Sequence, residues 1–171
     1  MYNLNFFPVI LATAMSLFSC AVRSNIHQPG DAVFKVCQIV IISPYGCYQE
    51  IEINSCGAGY LKSGLYNGNI KDENVILDTI FSIDSFYIQG ERDLKKIHGI
   101  IKSILNKENI KGGAKTDTYR HKLFVDEINK IDTYGLSKDL QELLKQMIIY
   151  LPLSNDKCEF FELLKNKYYS Q

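Results

Sequence analysis

Five cysteines and three histidines are the side chains with the greatest chemical reach: Cys20, Cys37, Cys47, Cys56 and Cys158, with His27, His98 and His121. A thiol activated by an imidazole, itself oriented by a carboxylate, is the arrangement of nucleophilic catalysis. The best placed members are Cys56, within Ser55-Cys56-Gly57-Ala58-Gly59, and His121. Strand alternation puts His121 on one face with Asp117 and Tyr119. Each also has an ordinary structural reading, as half of a disulfide and as a solvated strand face. Reactivity needs an electropositive, partly exposed thiol that nothing here supplies. The sequence therefore assigns no catalytic residue, and a small envelope enzyme using Cys56 and His121 stands as the alternative reading.

Metal and cofactor chemistry find no pattern. Zinc sites use closely spaced cysteine pairs, and no Cys-x-x-Cys occurs. Asp72 and Glu73 lack the calcium-loop spacing. Gly57, Gly59 and Gly64 do not match the dinucleotide fingerprint, and no helix is expected after them. No metal and no cofactor are expected. Eleven tyrosines accompany no tryptophan. Tyr45, Tyr48, Tyr60 and Tyr66 cluster around the glycine-rich turns, where an apolar ring with a polar tip suits an interface. They are the candidate binding surface. Nineteen basic residues balance nineteen acidic ones. That balance removes the electrostatic ground for a nucleic-acid partner.

The first charged side chain is Arg23. Phe6 to Phe18 is a run of 13 mostly apolar residues. It is short for a spanning helix, which needs about 20, and has the length of a signal-peptide core. Leu17-Phe18-Ser19-Cys20 follows, with an aliphatic residue at −3, a small residue at −1 and Cys at +1. This motif resembles the lipobox of bacterial lipoproteins, and the Ser-Cys junction after a Phe-rich core is most similar to lipoproteins of Bacteroidota. The resemblance implies cleavage between Ser19 and Cys20, lipidation of Cys20 and attachment to the membrane through that lipid. Residues 1–19 are then a signal peptide, 20–31 a polar tether and 32–171 a single domain. No Asp follows Cys20, and no acidic cluster follows it either. Within that family, these absences imply a periplasm-facing anchor in the outer membrane.

Setting Cys20 aside leaves Cys37, Cys47, Cys56 and Cys158, an even number suited to two disulfides in an oxidising compartment. Three connectivities are open. Sequence proximity favours Cys47 with Cys56, leaving Cys37 with Cys158.

The elements that must carry these residues read as strands first. Residues 33–42 (VFKVCQIVII) are β-branched and apolar, a buried strand. Ser43 to Gly46 is a turn, and Tyr48 to Asn54 alternates as a half-exposed strand. Leu61 to Tyr66 and Val75 to Ile88 are further strands. Leu94, Ile97, Ile101, Ile104 and Leu105 predict a helix over 91–107. Residues 116–125 and 128–134 form a hairpin around Asp126-Glu127. Ser137 caps a second helix with its apolar stripe from Leu140 to Leu151, stopped by Pro152. Asp156 opens a short third helix. The order β-β-β-β-α-β-β-α-α predicts an α+β fold, an antiparallel sheet packed on one face by two or three amphipathic helices. The function expected is a non-enzymatic, lipid-anchored protein-binding module of the cell envelope, inhibitor-like or immunity-like.

Overall fold

The computed structural model describes residues 33–67, 76–112, 118–152, 158 and 160, all within the compact unit Val33–Gln171. The expected signal peptide, Ser19, Cys20, His27, Asp117 and most of the expected third helix lie outside the described residues.

Among the described residues, seven strands and two helices make a mixed α+β unit dominated by its sheet. The strands are β1 (Val36–Ile42), β2 (Cys47–Asn54), β3 (Ala58–Asn67) and β4 (Ile76–Tyr87). After helix α1 (Glu91–Leu105) come β5 (Ile110–Lys111), β6 (Arg120–Val125) and β7 (Ile128–Tyr134). Helix α2 (Lys138–Met147) follows and tightens into a 3-10 turn, Ile148–Tyr150. The sheet order is β4-β3-β2-β1-β6-β7-β5. Every neighbouring pair is antiparallel except β5 on β7, which is parallel. Two residues, Ile110 and Lys111, are too short a run to betray a strand, and β5 was not legible as one.

The registers define two faces. On the core face, Leu61, Ile51, Ile39, Leu123 and Ile131 stand in one row across β3, β2, β1, β6 and β7. That row is at most 2% exposed. Ile97, Ile101 and Ile104 of α1, and Leu140, Leu143, Leu144 and Met147 of α2, join it in one apolar cluster. Ser137 caps α2, its hydroxyl accepting from the Leu140 amide at 3.3 Å. Pro152 follows Leu151, whose extended ψ of 133° ends the helical path.

Asp126 and Glu127 form the expected two-residue hairpin with φ of +48° and +71°, the handedness that matches strand twist. The Asp126 carboxylate also accepts the backbone amides of Lys35 and Val36 at 2.8 and 2.9 Å, fixing the start of β1. Gly57 and Gly59 behave differently from each other. Gly57 turns the chain at φ +86°, while Gly59 lies within β3. A Cβ on Gly59 would fall 2.2 Å from the Glu52 carbonyl and 2.7 Å from the Phe86 ring. The glycine is there to admit two backbones and a ring.

Candidate functional site

Opposite the core face, the same registers lay out a polar lattice. Gln38, Glu52 and Tyr60 form one row across β1, β2 and β3, and Val40, Glu50 and Lys62 the next. Phe124 continues the first row onto β6 and Lys122 continues the second. Tyr48 stands beside Glu50 on the same face of β2.

Glu50 is the hub, and only 3% of it is exposed. Its carboxylate accepts from the Tyr48 hydroxyl at 2.5 Å, Tyr60 at 2.9 Å and the Gln38 amide at 3.0 Å. The Lys62 ammonium lies 3.0 Å away. Burial pushes the Glu50 carboxyl up. Lys62 and the hydrogen bonds from Tyr48, Lys62 and Gln38 outweigh burial, and the group is held below the usual carboxylate range. Burial and the Glu50 charge raise both tyrosine hydroxyls, so both stay protonated.

Tyr60 has one proton and two carboxyl neighbours. Its hydroxyl oxygen is 2.9 Å from Glu50 and 2.9 Å from Glu52. A phenol donates once, so it cannot satisfy two carboxylates. Burial pushes the Glu52 carboxyl up, the Tyr60 hydrogen bond opposes it, and the Glu50 charge adds to the rise. The Tyr60 hydroxyl thus bridges Glu50 and Glu52 across the polar face.

Glu52 opens onto a groove of about 690 Å³, lined by Lys35, Val36, Gln38, Glu52, Phe124, Asp126 and Glu127. Three carboxyl groups face one ammonium beside an aromatic ring. Such walls suit a cationic group on an aliphatic stem, by charge-assisted hydrogen bonding and ring contact. A second charged pair lies on the same face. Arg120 forks onto Asp132, with both N–O distances 2.8 Å, and its guanidinium stands 5.8 Å from the Tyr134 ring centre.

The tyrosine candidates divide. Tyr48 and Tyr60 converge on Glu50. Tyr66 is turned to the Ser43 carbonyl at 2.9 Å. Tyr45 is 85% exposed at the β1–β2 turn, away from the hub. Glu50, Glu52, Gln38, Lys62, Phe124 and Asp126 were not singled out from sequence. The alternation over Tyr48 to Asn54 sets Glu50 and Glu52 on the face opposite Ile51 and Ile53. The missing information was the pairing of β2 with β1 and β3.

The cysteines depart from expectation. Cys47 bonds to Cys158, joining the start of β2 to the C-terminal segment. Cys47 and Cys56 sit at opposite ends of β2, so sequence proximity misjudged that pair. Cys37 is a free thiol rather than half of a disulfide, fully buried on the core face of β1 between Ile53 and Val125. Burial raises that thiol far above its ordinary range. Cys56 is disulfide-bonded and has no thiol to act as a nucleophile.

His121 is not beside Cys56. In register it aligns with Ile41 and Gln49, five residues along β2 from Asn54, or about 17 Å. The histidine at the Cys56 turn is His98, whose Nε2 lies 2.9 Å from the Ser55 carbonyl. The structure therefore does not bring Cys56 and His121 together. Among the described residues, no cluster of three or more metal-ligating side chains occurs, and no helix is long and apolar enough to cross a membrane.

Comparison with protein-family models gives no match, and neither do curated proteins or solved structures. The class is therefore set by architecture and site together: an α+β unit with a carboxylate-lined groove on the polar face of its sheet.

Proposed function

We propose that this chain is a lipid-anchored envelope lipoprotein whose domain is a non-enzymatic protein-binding module, of the inhibitor or immunity kind. Processing follows the lipobox: cleavage after Ser19 and lipidation of Cys20, placing the domain on the periplasmic side of the outer membrane. The helices contribute by packing their apolar stripes on the core face, which leaves the polar face for recognition. The partner presents a lysine or arginine, whose cation enters the groove between Glu52 and the Asp126-Glu127 turn, with its stem against Phe124 and Val36.

The observation that carries this reading is the groove's composition: three carboxyl groups to one ammonium, on a chain whose net charge is zero. The test is titration of the isotope-labelled domain with acetylated tri-arginine. Saturable shifts are expected at the amides of Gln38, Glu52 and Phe124, with affinity falling at least fivefold in Glu52→Gln/Glu127→Gln. Shifts scattered over every acidic surface, or unchanged by that variant, overturn the groove.

The anchor has its own test, the intact mass of protein recovered from native membranes. An acylated N-terminal Cys20 is expected. An unacylated Cys20 overturns the lipoprotein reading.

A further inference from the structure

The two edges of the sheet are unlike. One ends in β5, two residues long and carrying the exposed Lys111, a short, charged edge of the kind that resists strand addition. The other ends in β4, twelve residues long, with the sequence ILDTIFSIDSFY. That strand holds no proline and no basic residue, and its charges are Asp78 and Asp84. Ile80, Phe81 and Ile83 are 46%, 37% and 39% exposed. A long apolar edge strand is a template for another strand.

Register decides which strand fits. Ser82 pairs with Ser63 and Ile80 with Gly64, so Phe81 is an extra residue, a bulge. The bulge breaks the alternation. Ile83, beside Lys62, and Ile80, beside Gly64, share the polar face. Asp84, beside Leu61, and Thr79, beside Leu65, share the core face. Opposite residues of neighbouring strands point the same way, so an added antiparallel strand must match β4 face for face. A second copy of β4 meets that condition. Turned about a two-fold axis perpendicular to the sheet, it sets Ile80 opposite Ile83 of the partner subunit and Thr79 opposite Asp84 of the partner subunit. Asp78 then falls level with Ser85 of the partner subunit, and Phe81 lies beside the axis. Neither aspartate faces another carboxylate.

We propose that the chain forms a two-fold dimer by antiparallel pairing of β4 with β4, in the register set by the Phe81 bulge. The interface is isologous, so each contact occurs twice. A seam of Ile80, Phe81 and Ile83 from each copy is narrower than an obligate interface, so the association depends on concentration. The two sheets become one, and the carboxylate grooves of both copies open to the same side. The dimer itself does not depend on what those grooves bind.

The test is sedimentation equilibrium of the full chain in a density-matched detergent, over micromolar to millimolar concentrations. A monomer–dimer equilibrium is expected. Ile80→Glu/Ile83→Glu sets carboxylates level across the axis and should weaken it about tenfold. Ile80→Lys/Ile83→Glu sets each lysine level with a glutamate of the other copy and should bind about fivefold tighter than the doubly acidic variant. The new glutamate at position 83 stands beside Lys62 of its own copy in both, so the two variants differ only at position 80. These positions are exposed in the single copy, and amide exchange in α1 and α2 should be the same in all three proteins. A monomer at every concentration overturns the proposal. So does a dimer indifferent to the doubly acidic change, because its interface then lies elsewhere on the chain. A charge-swapped variant no tighter than the doubly acidic one overturns the register.

Discussion

His121 gives the sharpest thermodynamic prediction. Its ring is 2% exposed, and burial lowers its pKa from 6.5 to about 4. Tyr119 and Phe160 face it with their rings, and Thr133 and Ile41 flank it from β7 and β1. No charge contributes to the shift. The folded pKa lies below the unfolded one, so between pH 4 and 6.5 the unfolded chain binds more protons. Stability contributed by the neutral ring is complete above pH 6.5 and drains as pH falls towards 4. The whole window is worth about 3 kcal/mol, and about 2 kcal/mol is gone at pH 5. Against a total of about 5–15 kcal/mol for a folded domain, that is a measurable share. His121→Phe keeps an aromatic ring against Phe160 and removes the titration. Guanidinium unfolding of both proteins from pH 7.5 to 4.5 isolates the effect, because every other titrating group is common to the pair. The variant should gain on the wild type by about 2–3 kcal/mol across that range. A stability difference that stays constant with pH to within about 0.5 kcal/mol would refute the buried, neutral imidazole.

Three further outcomes follow from the packing. Glu50→Ala strands the Lys62 ammonium and the Tyr48, Tyr60 and Gln38 donors, and should cost about 3–5 kcal/mol, with Glu50→Gln milder. Urea midpoints decide it, and a loss under about 1 kcal/mol would show that the hub is solvated. Glu127→Gly relieves a side chain held at φ +71° and creates an Asp-Gly hairpin. It should stabilise by about 0.5–1 kcal/mol in thermal melts, and a lower Tm would contradict the turn geometry. Gly59→Ala drives a methyl group into the Glu52 carbonyl and the Phe86 ring. It should cost about 2–3 kcal/mol by calorimetry, and neutrality would mean that β2 and β3 are not so closely apposed.

Periodic signals carried the elements well. The 3.6-residue stripes at Leu94–Leu105 and Leu140–Met147, the Ser137 cap and the Asp126-Glu127 turn all lie where local physics puts them. Mixed α+β architecture followed from that order. Glycine misled at Gly59, because a residue that breaks a chain in isolation also lets two strands approach. Short β5 carries no period at all. The polar hub was half legible. One strand's alternation sets Glu50 and Glu52 side by side, but Tyr60, Lys62, Gln38 and Phe124 come from three other strands. Disulfide pairing failed for the same reason. Cys47 and Cys158 are joined by the folded path of the chain, and sequence distance is blind to it.

The first strand of the sheet is also its middle. β1 pairs with β2 within a few residues, yet its other edge waits for β6. A chain growing from its N-terminus completes the β1–β4 meander early and then holds Cys37 to Ile42 unpaired along one side. That edge offers a bare, β-branched template to any neighbouring chain until Arg120 to Val125 arrive. The β1–β6 seam is therefore the slow, non-local step of folding, and it is the interval in which an unfinished copy is most prone to join another.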